Sequence, residues 1–457
     1  MATTALDGFT GVLLQPDDDG YDAARRVWNG AIDRCPAFIA RCRTAADVAA
    51  AICFGAGHGL PIAVRGGGHS IPGLSVCEGG LMIDLAMMKG IRIDPAARVA
   101  RVQPGVLWRE LDASTQQHAL AVPGGEVSHT GVAGLTLGGG VGWLGRRHGL
   151  TCDSLLAAQL VTARGDVVEI DEQSDPELLW GLRGGGGNFG VVTSFTFRLH
   201  PVPVPIYAGM VVHPLERAHE ALRVFLDVAA NAPDELGLNA AMVTLPPAPF
   251  VPVALRGQPV VALAAGYVGP LDAGEAAVRA LREFAPAAMD TFGPMPYTVL
   301  QSLVDDAAPA GLPSYARSEW MRPLNETGVD TLVTAAAEMT SPMSQVLLRI
   351  MGGAIVRVPH YATAFRFRDA AAMLTLSAMW PDPTDPGHQH RDWAHTAWQR
   401  MRPWSAGGGY INHLCDESTD RIREAYGPTT WDRLVALKRR LDPDNIFQLN
   451  QNIPPRS

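Results

Sequence analysis

The alternation of apolar and polar positions separates a first stretch of short strands and glycine turns from a second of longer strands and amphipathic helices. Residues 44–56, "TAADVAAAICFGA", carry apolar residues along their whole length and run out at Gly57 and Gly59, which predicts a helix. Short apolar runs at 61–65, 81–85, 91–94 and 99–103 are bounded by Gly, Pro and Asp and read as strands. A helix is expected over 108–118, and 157–170 reads as two strands turned around Arg164, Gly165 and Asp166. Asp175 followed by Pro176 opens a helix to 184, and 189–199 alternates as a strand should.

"HPVPVPI" at 200–206 marks a boundary, because proline at every second residue breaks both helix and ladder. Strands are predicted near 207–212, 237–245, 259–267, 345–358 and 371–379, with helices near 215–231, 272–284, 328–339 and 391–402. The glycine-rich style returns in "SAGGGYIN" at 405–412. The reading is an α+β chain in which 1–205 and 406–457 form one unit and 206–405 is inserted into it.

The length of 457 residues exceeds a single core, and 47% hydrophobic with 18% charged residues fits a folded globular chain. A net charge of −9 argues against nucleic acid or an anionic membrane as partner. Lys89 and Lys438 are the only lysines, so lysine-based covalent or base chemistry has few candidates. Residues 1–20 are polar, Arg25-Arg26 opens no apolar stretch, and no window is long enough to span a membrane. Six scattered cysteines without a CxxC pair read as reduced thiols, with the cytoplasm as the expected location.

GxGxxG occurs twice, at 140–145 and 185–190. Neither copy follows a strand and opens a helix, so a nicotinamide-binding Rossmann unit is not expected. "GHQHRDWAH" at 387–395 follows "PDPTDP" and reads as a solvated loop entering a helix rather than a metal site. What stands out is three glycine clusters, at 66–68, 134–142 and 184–187. Each can be a tight turn. Together they offer backbone N–H groups to a large ligand with phosphates, and His69 stands directly after the first.

The segments "RGGGHSIPG" (65–73), "GVAGLTLGGGVGWLGRRHGLTCDSL" (131–155), "RGGGGNFGVVTSF" (183–195), "YINHLCDE" (410–417) and "LDPDNIFQLNQNI" (441–453) resemble, in order, the bacterial berberine-bridge-enzyme-like flavoproteins of the vanillyl-alcohol-oxidase superfamily. The resemblance implies a PCMH-type FAD-binding domain of two subdomains, with an inserted substrate domain of antiparallel sheet covered by helices. It implies an FAD-linked oxidase carrying its flavin on His69, with dioxygen as acceptor, hydrogen peroxide as product and a small organic molecule as substrate. Val127 stands where many relatives have a second flavin-linking cysteine, so one link is expected. By the same resemblance Arg65, Gly66, Gly67, Gly68, Ser70, Gly73, Pro123, Gly124, Gly131, Gly134, Gly138, Gly139, Gly142, Val192, Asn450 and Asn452 line the FAD. Tyr410 and Asn412 of the "YxN" motif fall near the flavin ring. Tyr410 is the leading catalytic candidate, either as a base acidified by its neighbours or as an orienting donor. Gln345, Leu347, Arg349 and Met351 share one face of a strand, and Arg349 is the candidate for an anionic or phenolic group. His129 and His413 lie close to these motifs. A dehydrogenase with another acceptor, an amine oxidase and a flavin-binding protein without turnover are the alternatives, the amine reading weakened by the lack of a lysine in the substrate strand.

Overall fold

The computed structural model describes residues 6–248, 251–415 and 418–456. In the first sheet, Phe38–Arg41, Leu81–Asp84 and Ile62–Arg65 run parallel, and Val12–Leu14 joins antiparallel at the edge. The run Leu81–Asp84 is buried at every position, as a strand covered on both faces must be. The crossover is the helix Ala45–Gly57. Its start is fixed by a reciprocal cap: Thr44 Oγ1 accepts the Asp47 N–H at 3.1 Å, and the Asp47 carboxylate accepts the Thr44 N–H at 3.0 Å. Strand Ile62–Arg65 runs straight into the glycine turn, so this turn leaves the carboxyl edge of the parallel strands, where α/β sheets collect ligands.

The second sheet is antiparallel, in the order Ile91–Asp94, Val99–Val102, Val191–Arg198, Leu155–Val161, Val167–Asp171. Its core takes in Trp431, Leu434 and Leu437 of the helix Pro428–Leu441, which brings the chain's last fifty residues back onto the first half. The buried ammonium of Lys438 on that helix is fully engaged, donating to the Asp442 carboxylate (2.7 Å) and to the carbonyls of Asn188 and Phe447 (both 2.9 Å).

The third sheet is antiparallel throughout. Its order is Met289–Asp290, Ile206–Pro214, Pro259–Tyr267, Leu236–Thr244, Gln345–Ile350, Ala372–Met379, Ser314–Met321, with Gly293–Met295 also on Ile206–Pro214. Helices Ala218–Ala230, Leu271–Glu283, Glu326–Ala337 and His388–Met401 pack on one face through Phe225, Leu281, Leu332 and Trp393. Val346 and Leu348 point into that core, so Gln345, Leu347 and Arg349 turn to the opposite face, toward the first half of the chain.

Three sequence expectations need correction. The strand predicted over 345–358 stops at Ile350: Gly352 and Gly353 take φ of +102° and +57°, and a short helix, Ala354–Arg357, follows. Met351 therefore leaves the strand and is buried in a separate aromatic cluster. The proline-rich 200–206 segment still forms a two-residue ladder, His200–Pro201 against Leu120–Ala121. The histidines of 387–395 belong to a helix from His388, and His390 is buried with its Nδ1 2.7 Å from Thr340 Oγ1. Among the described residues no helix is long and apolar enough to cross a membrane.

Candidate active site

A cavity of about 340 Å³ lies where the glycine turns of the first half meet the open face of the third sheet. Gly66, Gly67, Gly68, His69 and Ser70 line it, with Gly131, Gly134, Val192 and Asn450. Arg349, Tyr410 and Asn412 line it too, so the three candidate catalytic residues are brought together with the glycine turn. The two glycine loops touch. A Cβ on Gly67 would fall 2.4 Å from Gly131 Cα, and one on Gly131 would fall 2.5 Å from Gly67 N, so neither position has room for a side chain.

Other residues named from the sequence stand outside the lining. Gly138 backs onto the Asn412 side chain, Gly139 onto the Phe365 ring, Gly142 onto the Gly124 carbonyl and Gly73 onto Ile32. Gly124 in turn faces the Trp108 ring, and the Pro123 carbonyl accepts the Thr151 hydroxyl at 2.5 Å. These residues let the loops behind the cavity pack closely. Arg65 donates to the Ala24 carbonyl and lies 4.0 Å from Asp84. Asn452 is also outside the lining, with a buried Oδ1 that has no partner.

His69 is half-buried, and its ring nitrogen Nε2 is shut off from solvent with no hydrogen-bond partner. Burial, together with the neighbouring His129, lowers its pKa to about 3, so the ring is neutral near pH 7. Tyr410 is buried in an aromatic cluster with Trp320, Phe365 and Phe367. Its phenolic oxygen accepts the Gly140 N–H at 3.0 Å and an Asn412 Nδ2–H at 2.9 Å. Those bonds favour the phenolate, but desolvation outweighs them and the pKa is pushed up to about 12. The neighbours therefore do not acidify this tyrosine.

Arg349 does not stand alone. Its Nε donates to Glu126 Oε2 at 2.6 Å, and Glu126 Oε1 accepts from Asn239 Nδ2 at 2.8 Å. Arg349 Nη1 reaches Thr375 Oγ1 at 3.3 Å, and that hydroxyl lies 3.2 Å from Nδ1 of His413. His413 lines the cavity, and burial lowers its pKa to about 3. Glu126 is the residue that sequence reasoning missed. It sits in the turn "PGGEVS" with no local pattern to mark it, and its partners are 113 and 223 residues away. Val127 beside it lines the cavity, whereas the buried Cys152 does not.

Two glycine loops in contact at the wall of a cavity, closed by an antiparallel sheet, suit a binding domain for a large phosphate-bearing cofactor. A family profile described as "FAD binding domain" matches residues 36–171, and one described as "Berberine and berberine like" matches 409–454. The (R)-6-hydroxynicotine oxidase of Paenarthrobacter nicotinovorans is 32% identical, the match covering 97% of each chain. An FAD-linked oxidoreductase of Dictyostelium discoideum is 30% identical over 98% of this chain and 96% of its own. Among solved structures, 6-hydroxy-D-nicotine oxidase from Arthrobacter nicotinovorans superposes over the whole of both chains with a TM-score of 0.90 at 28% identity. The chain belongs to the berberine-bridge-like family of FAD-linked oxidoreductases. The residues present fit FAD: a cradle that admits no Cβ at Gly67 or Gly131, a buried imidazole nitrogen without a partner at His69, and a buried, unpartnered Oδ1 on Asn450.

Proposed function

We propose that the chain is an oxidase acting on a small alcohol, sugar or secondary metabolite, with FAD joined covalently to His69 and electrons passed on to dioxygen to give hydrogen peroxide. When bound, FAD supplies the acceptor for a hydride from the substrate's donor carbon. The observation that carries this reading is His69, a half-buried neutral imidazole whose buried Nε2 is unengaged, at the end of the glycine turn. Gly66 to Gly68, Gly131 and Gly134 offer backbone N–H groups to the pyrophosphate, with Ser70, Val192 and Asn450 beside them. Arg65, Gly73, Pro123, Gly124, Gly138, Gly139, Gly142 and Asn452 support these loops from behind.

Tyr410 and Asn412 orient the reacting group. A neutral phenol that already accepts two hydrogen bonds still has its own proton to donate. Glu126 is the only carboxylate lining the cavity among the described residues, and Arg349 balances it, which supports a hydroxyl-bearing substrate over a cationic amine. Val127, an apolar side chain where a second link needs a thiolate, supports a single attachment. The six free cysteines support a reducing, cytoplasmic setting. The sheet membership of the strands supports the division between 1–205 and 206–405, and the packing of Trp431, Leu434 and Leu437 in the core of the second sheet supports 406–457 as a return to the first unit.

Acid precipitation of the purified protein tests the attachment: the yellow colour is expected in the pellet, and His69→Ala is expected to release it. An anaerobic substrate screen that follows flavin bleaching, with readmission of air, tests the oxidase reading. Reoxidation within seconds with stoichiometric peroxide is the expected result, and flavin that stays bleached in air refutes it.

A further inference from the structure

The imidazole proposed above to carry the flavin is flanked by two rings. The Trp28 indole stacks on His69 with centroids 4.5 Å apart and 18° between planes, and His129 lies at 5.1 Å and 33°. Both rings are tied to one short segment of the inserted part of the chain, residues 305–314. Trp28 Nε1 donates to the Ala308 carbonyl at 2.9 Å, and the Trp28 carbonyl accepts the Gly311 N–H at 2.8 Å. His129 faces the backbone of Asp305 and Ala308. Next to it, Ser128 gives both its N–H (2.7 Å) and its hydroxyl (2.5 Å) to the Asp305 carboxylate. Asn29 completes the seam, exchanging hydrogen bonds of 2.8 and 2.9 Å with the Ser314 backbone. On its other side, the Trp28 N–H donates to the carbonyl of Gly68, the residue immediately before His69.

Trp28 therefore grips the glycine turn through its backbone, the imidazole through its indole face, and the inserted segment through its indole N–H. A histidine after three glycines has little backbone restraint of its own, and side-chain rotation is ordinarily fast. Two flanking rings with fixed anchors remove that freedom. Orientation of this kind is what converts an encounter into a bond-forming arrangement.

We propose that Trp28 is a positioning residue for His69: fixed by the docked 305–314 segment, it holds the imidazole in a single orientation for bonding to the 8α carbon of FAD, so covalent attachment follows docking of the inserted part of the chain. This rests on the reading that His69 carries the flavin. Attachment forms one N–C bond and breaks one C–H bond of the 8α-methyl group and one imidazole N–H bond. The two electrons and two protons released leave with dioxygen as hydrogen peroxide.

The test compares the wild type with Trp28→Leu, Trp28→Phe and Asp305→Asn. Flavin-free protein from riboflavin-limited expression is mixed with FAD in air. Total flavin is read from absorbance of the native protein, and attached flavin from the fluorescence of washed, acid-precipitated protein. Trp28→Leu is expected to take up FAD but attach it at least about fivefold more slowly, the size of a lost ring stack. Trp28→Phe is expected to recover most of the rate because it restores a stacking face. Asp305→Asn, which touches neither the imidazole nor the glycine turn, is expected to slow attachment in the same direction. A wild-type attachment rate in Trp28→Leu, or equal slowing by Leu and Phe, overturns the proposal. Should Trp28→Leu give no soluble protein, a wild-type rate in Asp305→Asn overturns it instead. If the wild type itself releases all its flavin on precipitation, the His69 reading fails and takes this one with it. A wild type that holds its flavin beside an indifferent Trp28→Leu defeats only the positioning role.

Discussion

Tyr410→Phe removes one oxygen on which two buried donors converge. The Gly140 amide and Asn412 Nδ2 approach it at 3.0 and 2.9 Å, and the residue is only 4% exposed. Leaving two buried donors unpaired costs about 1–3 kcal/mol each, less whatever a small relaxation recovers, so a net loss of about 2–4 kcal/mol is expected. For a chain of this size melting as one unit, that corresponds to a thermal midpoint lower by roughly 2–4 °C.

The chemical consequence separates two roles. With a pKa of about 12, only about three phenols in 100,000 are ionised at pH 7.5. A mechanism that starts from the phenolate therefore carries an extra ~6 kcal/mol, whereas a neutral phenol that donates a hydrogen bond carries none. The assay is stopped-flow flavin bleaching under anaerobic conditions, for wild type and Tyr410→Phe, from pH 6 to 10.5. The variant is expected to be about 10- to 100-fold slower with an unchanged pH profile, as for a lost orienting donor. A rising limb in the wild type with an apparent pKa of 8 to 9.5, absent from Tyr410→Phe, refutes the buried neutral phenol and restores the acidified base.

Gly67→Ala drives a Cβ to 2.4 Å from Gly131 Cα, about 1 Å inside ordinary contact, so the two loops must part. A cost of about 1–3 kcal/mol and a lower flavin-to-protein absorbance ratio are expected, and wild-type values of both would contradict the close approach. Arg349→Gln or Glu126→Gln alone is expected to lower denaturant stability by about 2–4 kcal/mol, because each strands a charge that is at most 14% exposed. Replacing both by Met is expected to recover most of that loss; additive losses would show that the two do not act as a pair. His148, His200 and His413 have pKa values lowered by burial to about 3, 4 and 3. The unfolded chain takes up these three protons near pH 6.5 while the folded one refuses them. Stability is thus complete above pH 6.5 and declines as pH falls toward 4, by up to about 4 kcal/mol per unit. Urea midpoints at pH 7, 6 and 5 check this, and an unchanged midpoint contradicts it.

Local pattern exposed much of this molecule and hid a definite remainder. The helix at 45–57 was legible because its run of apolar residues ends cleanly at Gly57 and Gly59, whereas its cap from Thr44 to Asp47 emerged only in the structure. The glycine clusters were legible as places of close approach, but glycine does not say what approaches. At Gly67 and Gly131 it is another loop at the cavity wall, whereas at Gly138 and Gly139 it is the side chains of Asn412 and Phe365. Strand 345–350 was overextended because "AIVRV" keeps an apolar alternation beyond the two glycines that end the ladder. Glu126 and Trp28 were invisible for a different reason. A single carboxylate in a turn or a single tryptophan after two arginines has no periodicity, and its meaning lies in partners such as Arg349 and Ala308 hundreds of positions away.

Those distant partners explain why the site needs both halves of the chain. A buried cavity wall does not hold a bare charge, because the desolvation penalty of one ion is several kcal/mol. Each titratable side chain at the wall is accordingly neutral or matched: Tyr410 by a raised pKa, His69 and His413 by lowered ones, Glu126 by Arg349 and Asn239 together. For the two histidines burial extends neutrality well below pH 6.5, and for Tyr410, a phenol neutral near pH 7 in any setting, it extends neutrality upward. In the fourth, neutrality follows from a cation that the third sheet supplies. An open first half would present Glu126 as a solvated anion and His69 as an imidazole that protonates near pH 6.5. Packing of the two halves thus keeps His69 unprotonated below pH 6.5 and gives Glu126 its cation. Glu126–Arg349 matters less as glue between the halves than as the contact that leaves this wall without net charge.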